Sequence, residues 1–216
     1  ALVIGLALAP VLFAQQPRPQ SFRANHYEVA ASLNETTQVL SATARVSFVA
    51  AEASRIVAVE LHPNLNVSGV TGEDGKALPS ERDTQNPLLL RTTLPSLVAA
   101  GGRVTLTYSY SGILANEDNS PVSGVRVASI RRDGAYLLLS ARWFPLTGFP
   151  SNSYTAIFRL EVPDSFAVAG TGKSETPTPL ASKSGGGGRL LYVFRCERAA
   201  PVGTFVAGNL QLTPVQ

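Results

Sequence analysis

The sequence is poor in the residue types that build catalytic sites and metal centres. Its 216 residues include one cysteine, Cys196, and two histidines, His26 and His62, which are distant in sequence. One cysteine excludes an internal disulfide, and the histidines lack the spacing of a zinc-ligand pair. The motifs typical of zinc peptidases, serine hydrolases and calcium loops are also absent. We therefore expect no catalytic or metal site built from this chain alone.

Structural roles are expected for these three residues. Cys196 ends an alternating run that contains Tyr192 and Phe194, which predicts an inert buried thiol because reactive thiols need a nearby base or cation. His26 and His62 are each predicted to be a partly exposed imidazole at the start of a strand.

Charge is scarce as well. Charged residues make up 15% of the chain, hydrophobic residues make up 44%, and the formal net charge is +3. The cations are scattered, and the adjacent pair Arg131-Arg132 is followed at once by Asp133. A nucleic-acid-binding face needs clustered cations with aromatic residues between them. The composition therefore predicts a globular domain with its own core and no nucleic-acid partner.

One segment imitates a nucleotide-binding motif. Gly170–Ser174 ends like a phosphate-binding loop, but Ala167 occupies the position of the first glycine and Pro177 follows where a helix should run. Without a helix N-terminus the backbone amides cannot converge on a phosphate, so this segment is predicted to be a turn. Residues 111–124 and 176–188, which are rich in turn-forming residues, are predicted to be loops.

The first fourteen residues, Ala1–Ala14, are apolar and uncharged, as in the hydrophobic region of a secretory signal peptide. No methionine or basic segment precedes them, so the start of this leader is expected to be clipped. A linker is predicted over residues 15–23 and a single domain over residues 24–216. We expect an exported protein that is periplasmic, extracellular or membrane-anchored. Membrane contact is expected only if the apolar segment is an uncleaved anchor, because it is too short to span by itself.

From Tyr27 onward the apolar residues recur with a period of two, which indicates β-strands. Asp74-Gly75 and Asp133-Gly134 are dipeptides typical of hairpin turns. No window of a dozen residues keeps a helical period, so about ten short, mostly antiparallel strands predict an all-β sandwich or open barrel. The predicted strands are Tyr27–Leu33, Leu40–Phe48, Arg55–Leu61, Leu88–Thr92, Val104–Tyr110, Val125–Ile130, Tyr136–Leu139, Thr155–Val162, Leu190–Arg195 and Gly203–Leu212.

The aromatic residues concentrate between two predicted strands. This segment holds the only tryptophan, Trp143, followed by Phe144-Pro145 and Phe149-Pro150. The prolines interrupt sheet pairing because proline donates no hydrogen bond. Such a turn is either a plug of the core or a docking surface for another domain. The high average burial of tryptophan favours the plug.

Four segments, taken in order, resemble the N-terminal domain of the aminopeptidase-N-like zinc metallopeptidases. The third holds the pattern most typical of that family, an arginine and an aromatic-Pro pair followed by a strand, a Val-Pro turn and a strand of small residues. The resemblance covers residues 24–216. The segments are HYEVAASLNETTQVLSATARVSFVA from His26, RVTLTYSYSG from Arg103, SARWFPLTGFPSNSYTAIFRLEVPDSFAVAGTGK from Ser140 and GTFVAGNLQL from Gly203.

The resemblance implies a saddle-like β-sandwich that packs on a downstream catalytic domain and helps to shape its substrate cleft. It implies that the zinc and its ligands belong to that further domain, that the parent is a zinc metallo-aminopeptidase, and that this chain meets the peptide substrate only indirectly. The chain is then expected to be a fragment of a longer protein. The residues expected to form the docking or cleft-side patch are Arg142, Trp143, Phe144 and Phe149.

An alternative from another functional class stays open. The chain would be a free-standing, exported β-sandwich that binds carbohydrate or protein through a surface patch of aromatic residues. The gene beyond Gln216 distinguishes the two hypotheses. A His-Glu-x-x-His motif with a downstream glutamate indicates the peptidase, whereas a stop codon favours the binding module.

Overall fold

The structure is a computed structural model that describes residues 20–114, 124–181 and 187–210. Within these ranges the chain forms strands and one short 3₁₀ helix, η1, at Leu139–Ala141, so the all-β prediction is confirmed. No helix among these residues is long and apolar enough to cross a membrane. The strands are β1 (Phe22–Asn34), β2 (Val39–Ala50), β3 (Ser54–Glu60), β4 (Asn66–Thr71), β5 (Ser80–Arg82), β6 (Leu89–Val98), β7 (Arg103–Ile113), β8 (Ala128–Ile130), β9 (Gly134–Leu137), β10 (Tyr154–Pro163), β11 (Ala167–Gly170), β12 (Lys173–Ser174), β13 (Thr178–Leu180), β14 (Arg189–Ala200) and β15 (Phe205–Gly208).

The strands form three sheets. The large sheet has the order β12-β14-β10-β1-β2-β7-β4, with β13 also paired to β14. Most neighbouring strands are antiparallel, but β1 and β10 run parallel, with His26 opposite Thr155. A four-stranded sheet has the order β11-β15-β9-β8, and a three-stranded sheet has the order β3-β6-β5.

One hydrophobic core joins the three sheets. In β1 and β2 the buried and solvent-facing residues alternate strictly over most of the strand, because successive side chains point to opposite faces of a sheet. The inward residues of the large sheet, such as Val46 and Phe158, belong to the same buried cluster as Val57 of the three-stranded sheet and Phe205 of the four-stranded sheet. The architecture is consistent with a β-sandwich, as predicted.

The strands are more numerous than the sequence pattern predicted, and several of the long ones extend further. Fifteen strands lie in the described ranges instead of about ten, and β1 alone has 13 residues, whereas β15 is shorter than predicted. The period-two pattern missed β4, β5, β11, β12 and β13, because these strands are short or contain glycine or proline, which obscures alternation. β1 begins at Phe22, two positions before the predicted domain boundary. The predicted leader at Ala1–Ala14 lies outside the described residues.

The turn at Gly75, with φ of +76°, and the hairpin between β8 and β9 are confirmed. Gly134 itself is the first residue of β9 rather than a residue of the turn. The predicted loop at 111–124 is shorter than expected, because β7 continues to Ile113, and residues 115–123 lie outside the described ranges. Part of the second predicted loop is strand β13, while residues 182–186 lie outside the described ranges.

Candidate docking surface

Trp143 and Phe144 lie at the centre of the core, both with 0% of their surface exposed. The ring of Phe144 contacts those of Trp143 at 4.8 Å and Phe158 at 5.4 Å between centroids. Trp143 Nε1 donates a hydrogen bond of 2.8 Å to the carbonyl of Gly203, in the turn before β15. The prediction of a core plug is therefore confirmed. The prediction that these two side chains form a docking patch is wrong, because neither reaches the surface.

The backbone around Arg142 explains why its neighbours point inward. Arg142 follows η1 with a left-handed conformation, φ +50° and ψ +43°, which reverses the chain and directs Trp143 into the core. The Arg142 carbonyl accepts a hydrogen bond of 2.8 Å from the His62 N–H. Glu60 and Leu146 exchange two backbone hydrogen bonds of 2.7 and 2.8 Å. The segment is thus tied to the end of β3 at both sides of the aromatic pair.

Arg142 and Phe149, by contrast, are partly exposed. The Arg142 guanidinium lies 4.0 Å from the centroid of the Phe149 ring, and its Nε donates to Glu60 Oε2 at 3.0 Å. The side chains of Arg142 and Glu60 are only 13% and 22% exposed. A cation held between a carboxylate and an aromatic face has a fixed position. These three side chains form what we call the Arg142 cluster.

A neighbouring loop holds the Arg142 cluster in place. Thr147 Oγ1 accepts a 2.9 Å hydrogen bond from the Ala24 N–H, and Asn152 Nδ2 donates to both the Ala24 carbonyl and Thr147 Oγ1. These bonds fix the loop that carries Phe149 against strand β1. Sequence reasoning missed this role for Thr147 and Asn152, because their partner on β1 is more than a hundred positions away.

A polar depression of about 360 Å³ opens beside the Arg142 cluster. Gln20 and Arg23 from the start of the domain, Glu60, Phe149 and Asn152 contribute to its lining. Its lining combines the Arg23 cation, the Glu60 carboxylate and the aromatic ring of Phe149.

The two histidines have different environments. His26 is partly exposed, as predicted, and its Nδ1 lies 2.7 Å from Thr155 Oγ1. The prediction for His62 is wrong, because it lies just after β3 with only 1% of its surface exposed. Its Nδ1 accepts a hydrogen bond of 3.1 Å from the Asn64 N–H. Burial, with a smaller contribution from the nearby Arg82 cation, lowers the pKa of His62 from 6.5 to about 4.

The residues present do not fit a zinc ion. Within residues 20–114, 124–181 and 187–210, no three His, Cys, Asp or Glu side chains converge in a way that could hold a metal. The Nδ1 atoms of His26 and His62 are already engaged with protein partners. Zinc chemistry, if it belongs to this protein, therefore needs ligands other than the side chains described here.

The remaining sequence predictions concern Cys196 and the glycine-rich segment beside it. Cys196 is buried, burial raises its thiol pKa, and its Sγ lies 3.6 Å from the Thr171 carbonyl, so the inert role is confirmed. Gly172 has φ of +106°, and Lys173–Ser174 forms strand β12 rather than a helix. The predicted turn is therefore confirmed.

Solved structures reveal what this fold is similar to, although no family model and no curated protein matches the sequence. The M1 zinc metallopeptidase from Deinococcus radiodurans aligns with 87% of this chain at 18% identity and a TM-score of 0.70. A variant of a two-domain M1 zinc metallopeptidase, solved with L-arginine, aligns with 89% of it at 18% identity and a TM-score of 0.71. The chain has the fold of part of an M1 zinc metallopeptidase.

This M1-like fold confirms, at the level of architecture, the resemblance found in the four sequence segments. The chain spans less than half of the solved proteins, 42% of the first and 44% of the second. Almost all of this chain thus aligns with one part of a longer protein. The match shows a shared fold and assigns no activity to this chain.

Proposed function

We propose that this chain is the non-catalytic N-terminal domain of an exported zinc aminopeptidase-like metallopeptidase. The observation that carries the proposal is the difference in coverage. The structural match covers 87% of this chain but only 42% of the M1 zinc metallopeptidase. The remaining part of such a protein would hold the zinc, its ligands and the general base. Export rests on the apolar segment Ala1–Ala14 and stays a prediction.

In this proposal the domain packs on the catalytic domain and helps to shape the entrance of its substrate cleft. The Arg142 cluster supports this role, because two of its members, Glu60 and Phe149, line an open polar depression and the Arg142 cation contacts both of them. A peptide substrate would contact these groups only at the rim of a cleft whose chemistry lies elsewhere. Trp143 and Phe144 contribute by holding the segment rigid from below.

The alternative of a free-standing carbohydrate-binding module is less well supported. Sugar rings bind by stacking on exposed aromatic side chains, and the large hydrophobic side chains classed as exposed in the described ranges are all aliphatic. The only tryptophan is fully buried. A protein-binding module without a catalytic domain would remain if the gene ended at Gln216.

The proposal is tested by assaying two purified proteins with aminoacyl and dipeptide substrates in the presence of zinc. The chain alone, shown to be folded by a cooperative unfolding transition, is expected to give no turnover above buffer. The full-length polypeptide is expected to turn over the substrate and to lose activity when a chelator is added. Chelator-sensitive turnover by the chain alone, or a gene without further coding sequence, would refute the proposal.

A further inference from the structure

A groove with a mainly apolar lining opens between the large sheet and the three-stranded sheet. The most buried residues of its lining are Leu106 of β7 and Leu94 of β6, which are 0% and 3% exposed. Leu78 and Val104 continue the apolar lining and are partly buried. The groove has a volume of about 550 Å³, which is within the range of pockets that hold small molecules. We call it the Arg55 groove, after a cation in its lining.

One wall of the Arg55 groove is the connection between β4 and β5. The connection turns at Gly75 and returns along β4, where the Leu78 N–H donates to the Val70 carbonyl at 2.8 Å. The Pro79 carbonyl then accepts a hydrogen bond of 2.9 Å from the Thr93 N–H of β6. This wall is thus tied to both sheets, so the groove is a preformed feature of the fold, as small-molecule sites usually are.

The charged residues of the lining differ in whether they have an ionic partner. Lys76 Nζ lies 3.0 Å from Asp74 Oδ2, and Glu73 Oε1 lies 3.6 Å from Arg45 Nη2, outside the groove. Arg55 is exposed, and no carboxylate of the described ranges forms an ion pair with it. Arg55 is therefore the charge that an anionic ligand would meet without displacing a partner.

Backbone carbonyls hold the Arg55 guanidinium at the groove. Its Nε and Nη2 donate to the Leu94 carbonyl at 3.3 and 3.1 Å, and Nη2 also donates to the Pro95 carbonyl at 3.0 Å. Leu94 and Pro95 line the groove too, so the cation lies next to its apolar surface. Carbonyls carry no net charge, and within the described residues Nη1 makes no hydrogen bond. A guanidinium with a free N–H edge is suited to binding a carboxylate.

We propose that the Arg55 groove binds a small amphiphile with one carboxylate and an apolar tail, of the kind that medium-chain fatty acids represent. In this complex the carboxylate accepts hydrogen bonds from Arg55, and the tail covers Leu94 and Leu106. Burial of the tail removes apolar surface from water on both partners, and the ion pair fixes the orientation of the ligand. The inference is independent of the function proposed above, because it involves neither zinc nor hydrolysis.

Isothermal titration calorimetry of the full-length polypeptide tests the site with three probes. Octanoate carries both the head and the tail, octanol lacks the charge, and acetate lacks the tail. Octanoate is expected to bind with a Kd of about 0.1 mM, which is typical of a ligand with so few atoms. Octanol and acetate are each expected to bind about tenfold or more weakly, because each loses one of the two contributions.

Variants locate the bound octanoate on the protein. Arg55→Gln removes the unpaired cation of the groove, and the matched control Arg103→Gln removes an exposed cation outside its lining. Arg55→Gln should weaken octanoate binding about tenfold, whereas Arg103→Gln should leave it unchanged. Ala77→Phe should also weaken binding about tenfold, because the added ring occupies space in the groove. Urea denaturation verifies that each variant is folded before it is titrated.

Every outcome supports or refutes the inference. Binding of octanoate that Arg55→Gln and Ala77→Phe weaken, and that Arg103→Gln does not, supports it. Equal affinity for octanoate and octanol, equal losses in the two arginine variants, or no saturable binding up to about 10 mM octanoate refutes it. Binding that appears only when the protein is diluted shows that a second copy occupies the groove and also refutes it. None of these results alters the zinc-dependent assay that tests the proposed function.

Discussion

The two sides of the segment formed by residues 142–149 differ sharply in their surroundings. Trp143 and Phe144 have no exposed surface and contact rings from two of the three sheets. Arg142 and Phe149, their close neighbours in sequence, are partly exposed, and Phe149 lines a polar depression. The comparison teaches that the segment fills the core with one set of side chains and holds a partly exposed ion pair and ring with another. The two sides should therefore respond to mutation independently and by different amounts.

The largest effect is expected on the buried side. Trp143→Ala should lower the free energy of unfolding by about 3–5 kcal/mol, because it leaves a cavity and removes the hydrogen bond to the Gly203 carbonyl. Trp143→Phe, which keeps a ring, should cost about half as much. Urea denaturation of both variants measures these losses.

Phe149→Ala is the matched control for the exposed side. Phe149 is only partly buried, so its loss should be clearly smaller than that of Trp143→Ala. If Trp143→Ala and Phe149→Ala cost the same, or if Trp143→Ala costs less than about 1 kcal/mol, the assignment of Trp143 as the centre of the core is wrong.

Acidification is expected to lower the free energy of unfolding by an intermediate amount. The responsible group is His62, which lies beneath the same segment. Burial lowers its folded-state pKa to about 4, below the unfolded value of 6.5, so the folded protein resists protonation. The stabilisation of the folded state by neutral His62 is fully present above pH 6.5 and is lost as the pH falls towards 4. The loss should approach about 3 kcal/mol, from the difference between the two pKa values.

The measurement compares wild type with His62→Gln. Glutamine can still accept the hydrogen bond from the Asn64 N–H, but it does not titrate. The difference in unfolding free energy between the two proteins should therefore change between pH 7 and pH 4. A difference that stays constant over this interval would show that His62 is already accessible to protons in the folded state.

The smallest effect is expected on the exposed side. Arg142→Ala should cost about 1–2 kcal/mol, because it leaves the Glu60 carboxylate without its cation. Arg142→Gly should cost less than Arg142→Ala, because glycine adopts the left-handed backbone at this position without strain. The more exposed pair Arg45–Glu28, whose side chains are 49% and 34% exposed, is the control. Arg45→Ala should cost less than about 0.5 kcal/mol, and equal losses at both pairs would contradict the fixed geometry of the Arg142 cluster.

Alternation predicted the long strands because each of them buries one face and exposes the other. The pattern around Tyr108, where apolar residues alternate with threonine and serine, corresponds closely to β7. Short edge strands such as β12 carry too few residues for a period to be visible. The parallel pairing of β1 with β10 could not be predicted, because nothing local in either strand specifies a partner so far away in the chain.

The candidate surface was harder to predict than the fold. Trp143 and Phe144 lie in a turn, where no period tells which side chains point inward, so a docking role could not be separated from a core role. Val206 lies in the run Phe205-Val206-Ala207, whose residues are all apolar. Only the register of four strands shows that Val206 faces outward while its neighbours face the core. The outward orientation of Val206 is thus a property of the assembled sheet.

The parallel contact between β1 and β10 also sets the order in which the domain can be completed during synthesis. His26 and Thr155 are 129 positions apart, so the β1–β2 hairpin leaves the ribosome long before its second neighbour exists. Until the β10 strand has been translated, the edge of β1 presents unpaired amides and carbonyls to any other extended chain. Pairing over such a separation forms slowly, so this edge is the place where an incomplete chain is most prone to pair wrongly.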